Sequence, residues 1–163
     1  MKSAVYMMLV ACLAVGCRRQ PEPKAKGDTV ESPDIQEEYM NRILRRRMGE
    51  ARLLWGKAAG QAEQLNVLLD FRFFADTLER ATALSEELKE NYEVTVSHDE
   101  KTEYWFIDGT TRPAQMELDL SMVEQWVDFM VAKGFVHGCV FTSWRASTTN
   151  GQSWSSEDIE SEE

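Results

Sequence analysis

The hydrophobic pattern of residues 65–75 predicts a β-strand with one buried face. In LNVLLDFRFFA, every second residue from Val67 to Phe73 is apolar, and branched and aromatic side chains dominate. Strict alternation of this kind is typical of a strand that packs against a core on one side. The buried face is predicted to carry Val67, Leu69, Phe71 and Phe73, and the opposite face Asn66, Leu68, Asp70, Arg72 and Phe74.

A helix is predicted immediately after this strand. Asp76 and Glu79 have the spacing of a capping box. The apolar positions that follow recur at helical intervals and would form one stripe, made of Leu78, Ala81, Leu84 or Ser85, and Leu88.

The same reasoning extends to residue 145. Asn91 is predicted as a left-handed cap residue, followed by strands at 92–96 and 103–108. A second helix is predicted from Ser121, with Glu124 completing its capping box and Lys133-Gly134 ending it. Its apolar stripe would consist of Val123, Trp126, Val127 and Met130. A last strand is predicted at 135–145.

The predicted order over residues 65–145 is β-α-β-β-α-β, which indicates an α+β fold of the ferredoxin-like, split βαβ type. Right-handed crossovers would place both helices on one face of an antiparallel sheet with strand order 4-1-3-2. The domain is predicted to span 64–146, and the Ser-rich, acidic end at 147–163 is predicted to be a disordered tail.

Residues 34–63 are predicted to form an extra, amphipathic and basic helix. An apolar stripe runs from Met40 to Ala58, arginines occupy much of the remaining surface, and a break is expected near Gly56. Three interpretations remain open for this helix. It packs on the following domain, it lies on a membrane surface with its arginines at anionic headgroups, or it is a nucleic-acid arm, which export argues against.

The first residues predict export rather than structure. Lys2 precedes an apolar run that is too short to span a bilayer and that ends in Ala14-Val15-Gly16-Cys17. This resembles a bacterial lipoprotein signal at 1–16, with Cys17 as the lipidated residue. Cys12 is an alternative, as is an ordinary secretory signal with a coincidental cysteine. Residues 17–33 are then predicted to form a flexible linker.

The resemblance to a lipoprotein signal implies a location in the cell envelope, facing the periplasm or the exterior. Arg18 after the cysteine favours the outer membrane. If Cys17 is acylated, Cys139 is left as a free thiol without a disulfide partner.

Composition and motif content argue against several classes of function. The chain carries a net charge of −10, which argues against nucleic acid as a partner of the main domain. The sequence shows no zinc-ligand spacing, P-loop or nucleophile elbow. A Cys139–His137 pair is a weak candidate for catalysis, because a small buried cysteine beside a surface histidine is far commoner. We therefore expect no catalytic residue, no metal and no cofactor.

What remains is recognition of a protein partner. A sheet covered on one side by two helices leaves its second face available, and apolar side chains there would mark a partner surface. The candidate surface consists of Arg72, Phe74, Phe106 and Phe141. The alternative is that the Met40–Ala58 helix covers this face.

About half of the chain resembles the regulator of ribonuclease E activity B (RraB) family. Members share an aromatic first strand, a "GYEV"-like second strand, a tryptophan in the third, a threonine-arginine segment with an "LDL"-like run, and a last strand opening near "YDGW". The counterparts here are Asn91-Tyr92-Glu93-Val94, Trp105, Thr111-Arg112, Leu118-Asp119-Leu120 and Val136-His137-Gly138-Cys139. His137 and Cys139 depart from the aspartate and tryptophan of the last motif.

The resemblance implies a ferredoxin-like fold and a non-enzymatic, inhibitory role exerted by binding ribonuclease E. Ribonuclease E is cytoplasmic, so an exported chain would need a different partner. Two other hypotheses remain, namely a true cytoplasmic ribonuclease E inhibitor with a misread N-terminus, and an immunity-like lipoprotein that neutralises a toxin.

Overall fold

The computed structural model describes residues 33–60 and 64–159. The predicted signal sequence, Cys17 and most of the linker lie outside the described residues. These two ranges contain three α-helices, six strands and one short 3-10 helix. In order they are α1 (Pro33–Ala59), β1 (Leu65–Ala75), α2 (Leu78–Leu88), β2 (Glu93–Asp99), β3 (Tyr104–Thr110), β4 (Met116–Leu118), α3 (Leu120–Val136), β5 (Val140–Ser147), β6 (Ser153–Ser155) and the 3-10 helix Ser156–Asp158.

The strands form one antiparallel sheet in the order β2-β3-β1-β5-β6, and β4 pairs with the first residues of β1. β5 takes the place of the predicted fourth strand, so the predicted order 4-1-3-2 is confirmed. The architecture is α+β and broadly consistent with a ferredoxin-like two-layer sandwich that carries an extra N-terminal helix. β1 is central and runs over the full predicted range.

The hydrophobic core lies between the sheet and the helices. The predicted inward residues of β1 are all buried, and they pack with the predicted stripe of α3 and with Ala81, Leu84 and Leu88 of α2. Leu78, the first residue of the α2 stripe, is exposed instead. Residues Glu38–Glu163 form one compact unit, and this unit contains every residue of the described core. The chain from the start of α1 onward therefore carries what this domain needs to fold.

Both predicted capping boxes are wrong by one or two residues. Thr77 caps α2, because its side chain accepts a hydrogen bond from the Arg80 backbone N–H. The Asp76 carboxylate instead accepts a hydrogen bond from the Arg80 guanidinium. Asp119 caps α3 by accepting from the Met122 backbone N–H, which places Ser121 inside the helix.

The predicted C-terminal signals of both helices were also misplaced. α2 ends at Leu88, and its C-cap is Lys89, whose backbone conformation is right-handed. Asn91 is not among the described residues with positive φ. α3 continues through Gly134, where a Cβ atom would lie 2.8 Å from the Cys139 carbonyl oxygen and 3.1 Å from the Phe73 ring. The helix ends at Val136 with His137 as its C-cap, and Gly138 (φ +64°) follows the cap. The last long strand starts at Val140 rather than 135.

α1 is continuous through Gly56 and packs on the domain. Its apolar stripe reaches the core through Ala51, Leu54 and Trp55. The Arg47 Nε donates to the Phe141 carbonyl at 3.1 Å, and Arg52 forms an ion pair with Glu124 of α3. This agrees with the first of the three interpretations of the helix.

The prediction that the chain becomes disordered after residue 146 is wrong for 147–159. β6 pairs with Arg145–Ser147 of β5, and the buried Ser156 hydroxyl accepts from the Trp144 backbone N–H at 3.0 Å. Periodicity could not reveal this hairpin, because β6 has only three residues. Residues 160–163 lie outside the described part of the chain.

Candidate functional site

The face of the sheet opposite α2 and α3 carries the predicted partner surface. Alternation along β1 places Asp70, Arg72 and Phe74 there, and the pairing registers add Phe106 and Asp108 of β3. On β5 the same registers add Arg145. We call these six residues the open face, namely Asp70, Arg72, Phe74, Phe106, Asp108 and Arg145.

Asp70 is the hub of a polar network on the open face. Its carboxylate accepts from the Thr110 hydroxyl at 2.6 Å, from Arg112 at 3.3 Å and from Arg145 at 2.9 Å. Burial alone would raise the pKa of Asp70, but the hydrogen bonds from Thr110, Arg112 and Arg145 outweigh it and hold the pKa below its usual value. The carboxylate therefore stays charged and fixes two guanidinium groups.

A second ion pair lies beside this network. The Arg72 guanidinium donates to both carboxylate oxygens of Asp108, at 2.6 and 3.2 Å, and lies over the Phe106 ring at 5.2 Å from its centroid. The hydrogen bond to Asp108 raises the pKa of Arg72. A bidentate pair stacked on an aromatic ring gives the guanidinium a defined orientation.

One end of the open face is aromatic. The Phe74 and Tyr104 rings pack with centroids 5.0 Å apart, next to Phe106 along β3. Tyr104 is 42% exposed, and Phe74 and Phe106 are partly buried. Tyr and Arg are among the residue types most enriched at the energetic centres of protein interfaces, and Phe is enriched in interfaces as a whole.

Phe141 does not belong to this surface, and its prediction as a partner residue is wrong. The pairing of β1 with β5 shifts between Arg72 and Phe73, so that Thr142 is an extra residue on β5. A bulge of this kind reverses the direction of the side chains on one side of it. Phe141 therefore lies opposite Phe73 in the core, 1% exposed.

The weak Cys139–His137 candidate does not form a pair. His137 caps α3, and its Nε2 lies 2.6 Å from the Glu87 carboxylate. The Cys139 thiol approaches two backbone carbonyls instead, that of Arg80 at 3.6 Å and that of His137 at 3.7 Å. Burial raises the pKa of this thiol to about 11, whereas a nucleophilic cysteine needs a lowered one.

Several residues that carry the family resemblance have structural roles. Tyr92 packs against Phe71, and its hydroxyl accepts from Trp126 Nε1 at 3.1 Å. Thr111 continues the β-ladder with Leu69, and Asp119 is the α3 cap. Arg112 differs from these, since it reaches the open face through Asp70.

The sequence prediction missed four residues at or beside the open face. Alternation outward from Phe106 would have identified Tyr104 and Asp108 on β3. Arg112 follows the end of a strand, where no periodicity applies. Alternation onward from Phe141 along an unbroken strand would also have placed Arg145 on this face, since the bulge displaces Phe141 and not Arg145.

Fold and site together define a two-layer α+β domain with a charged and aromatic open sheet face. Scans against protein-family models and against curated proteins find no match for this chain. Within residues 33–60 and 64–159, no three His, Cys, Asp or Glu side chains are grouped as a metal site would require. None of the helices in the described ranges has both the length and the apolar character needed to cross a membrane.

Proposed function

We propose that this chain is a non-enzymatic, regulatory protein-binding domain that is anchored in the cell envelope through Cys17. Its partner is another protein, which contacts the open face of the sheet. The proposal takes from the resemblance to RraB proteins the manner of action, which is binding to another protein. It does not take the partner, because an exported domain does not meet ribonuclease E.

The observation that carries the proposal is the combination of an oriented Arg72 with the partly exposed Phe74, Tyr104 and Phe106 rings. A protein partner suits this surface better than a phosphate backbone does. The arginines near Asp70 and Asp108 are paired with carboxylates, so the face lacks the excess positive charge that nucleic acid requires.

Anchoring is tested by mass spectrometry of the protein from membrane fractions. The natural chain is expected to be acylated, and Cys17→Ser is expected to abolish acylation. Cys12→Ser is the matched control and should leave acylation intact. A soluble, unmodified natural chain would refute the anchor.

The surface is tested by placing a photo-crosslinking residue at position 104, with position 78 as the control. Leu78 is similarly exposed, at 49%, but lies on α2. After the crosslinked partner is identified and purified, Tyr104→Ala/Phe106→Ala is expected to weaken binding at least about tenfold, and Leu78→Ala to leave it unchanged. If both variants bind the partner equally well, the partner does not contact the open face and the proposed surface is wrong.

A further inference from the structure

The outward side of α1 carries a concentration of basic side chains on an otherwise acidic protein. Arg42, Arg45, Arg46, Arg52 and Lys57 are all exposed, although the whole chain has a net charge of −10. The apolar stripe of α1 is packed into the core, and this packing holds the basic side toward solvent. We call these five residues the basic face.

Three members of the basic face, namely Arg42, Arg45 and Lys57, have no ion-pair partner within the described residues. Arg46 pairs with Glu50, and Arg52 pairs with Glu124. No ion pair of the described ranges includes Arg42 or Arg45, and the Arg42 guanidinium lies only over the Tyr39 ring, 5.4 Å from its centroid. Glu37 and Glu38 lie near the start of the same helix, but no described ion pair joins them to either arginine. Positive charge is therefore left available.

Apolar groups adjoin this charge. A cleft of about 800 Å³ separates Arg42, Arg45 and Arg46 from a wall that includes Phe74, Val140 and Ile159. Tyr39 and Leu53, which line the helix side of the cleft, are 43% and 58% exposed. A ligand that matches both walls carries negative charge next to an apolar part.

We propose that the basic face of α1 and this cleft bind the headgroup region of anionic phospholipids at a membrane surface. Basic residues at an anionic bilayer each strengthen partitioning about fivefold. The helix does not insert, because its apolar stripe is already buried; it contacts the bilayer by its charged side. Because the chain as a whole is acidic, an anionic bilayer attracts the basic face and repels acidic surfaces, so the contact also orients the domain.

This inference deepens the proposed anchoring, since a lipid at Cys17 would keep α1 near the bilayer and raise the effective concentration of the contact. The inference can be tested without acylation of Cys17. Residues 33–163 contain the whole described core and lack Cys17, so binding of this fragment reports the basic face alone.

The experiment is flotation of the 33–163 fragment at low ionic strength with phosphatidylcholine vesicles, with and without 40 mol% phosphatidylglycerol. We expect binding only to the anionic vesicles and its loss at 0.3 M salt. Arg42→Gln/Arg45→Gln should reduce partitioning about 25-fold. The control Lys89→Gln/Lys101→Gln removes the same charge away from α1 and should stay within about twofold.

Three results would overturn the proposal: no binding of the fragment to anionic vesicles, equal binding to both compositions, or equal losses in the two double variants. Poly-L-glutamate serves as a competing probe. If it binds through Arg42 and Arg45 while vesicles do not, the basic face recognises an acidic protein and the lipid assignment is wrong. The two experiments are independent. If the fragment does not bind anionic vesicles, the acylation of Cys17 can still be found, and if Cys17 is not acylated, the fragment can still bind.

Discussion

At the scale of single residues, Phe71 and Gly109 depend on each other. They lie opposite each other on β1 and β3, and a Cβ atom at Gly109 would be 2.0 Å from the Phe71 ring. Phe71 also packs edge-to-face with Tyr92 and Trp126. The glycine is required because the ring occupies the space of its missing side chain.

Gly109→Ala is therefore expected to destabilise the domain by about 1–3 kcal/mol through overpacking. Phe71→Ala is expected to cost about 3–5 kcal/mol. The double variant should lose less than the sum of the two, because the smaller side chain frees the space that alanine needs. Urea unfolding measures all three.

Gly56→Ala provides the matched control, since nothing lies within 4 Å of its Cβ position. It should raise the free energy of unfolding by up to about 1 kcal/mol, as helix propensity predicts. A strictly additive Gly109–Phe71 cycle would contradict the proposed contact.

Asp70 gives the stability a dependence on pH. Because its folded pKa is lowered by its hydrogen-bond donors against the effect of burial, its contribution is present above the unfolded pKa of about 3.9. It is lost as the pH falls through the folded pKa. Unfolding measured from pH 7 to pH 2 should show this loss.

Asp70→Asn should be less stable than the natural chain at pH 7, and the difference should shrink toward pH 2, where the natural carboxyl is protonated as well. Glu117→Gln, an exposed carboxylate on β4 with no described ion pair, is the control and should follow the natural curve. A constant difference between Asp70→Asn and the natural chain at all pH values would contradict the assignment.

At the scale of elements, α1 completes the edge of the sheet where β6 does not reach. β6 pairs with residues 145–147 of β5, whereas the Phe141 carbonyl on the same strand accepts from Arg47. Arg47 also pairs with the buried Glu50. One side chain thus satisfies both a strand edge and a buried charge.

Arg47→Ala is expected to lower the free energy of unfolding by about 2–3 kcal/mol, because it leaves a buried acceptor and weakens the pairing of Glu50. Arg45→Ala removes the same type of side chain from an exposed position of α1. It should change the free energy of unfolding by no more than about 0.5 kcal/mol. Equal effects of the two substitutions would show that the contact with β5 contributes nothing.

At the scale of the whole molecule, the C-terminal hairpin is part of the domain rather than a tail. The Trp144 backbone N–H is buried and its acceptor is the Ser156 hydroxyl, while Trp154 packs against the core. The stability of the domain therefore depends on residues that follow the β-α-β-β-α-β segment.

Ending the chain after Ser147 should reduce the unfolding midpoint in urea substantially, since an unpaired buried N–H alone costs about 1–3 kcal/mol and the Trp154 contact is lost as well. A chain that ends after Ile159 keeps every described contact of the hairpin and is expected to retain most of the natural stability. If both chains unfold at the same urea concentration, the hairpin is not part of the cooperative unit.

The sequence by itself determined β1, the buried sides of α2 and α3 and the order of the sheet. These follow from periodicity, which is a local property, and from chain connectivity, which permits few arrangements. Two of the capping residues were misplaced because several polar side chains lie near each helix start, and only the backbone geometry selects Thr77 and Asp119 among them.

Only the tertiary structure decided which side of the sheet Phe141 occupies, how Asp70 joins Arg112 and Arg145, and where the arginines of α1 lie. The first depends on a one-residue bulge, the second on the register of three segments far apart in sequence, and the third on the packing of α1. Each is set by contacts between distant residues, which no local pattern along the chain encodes.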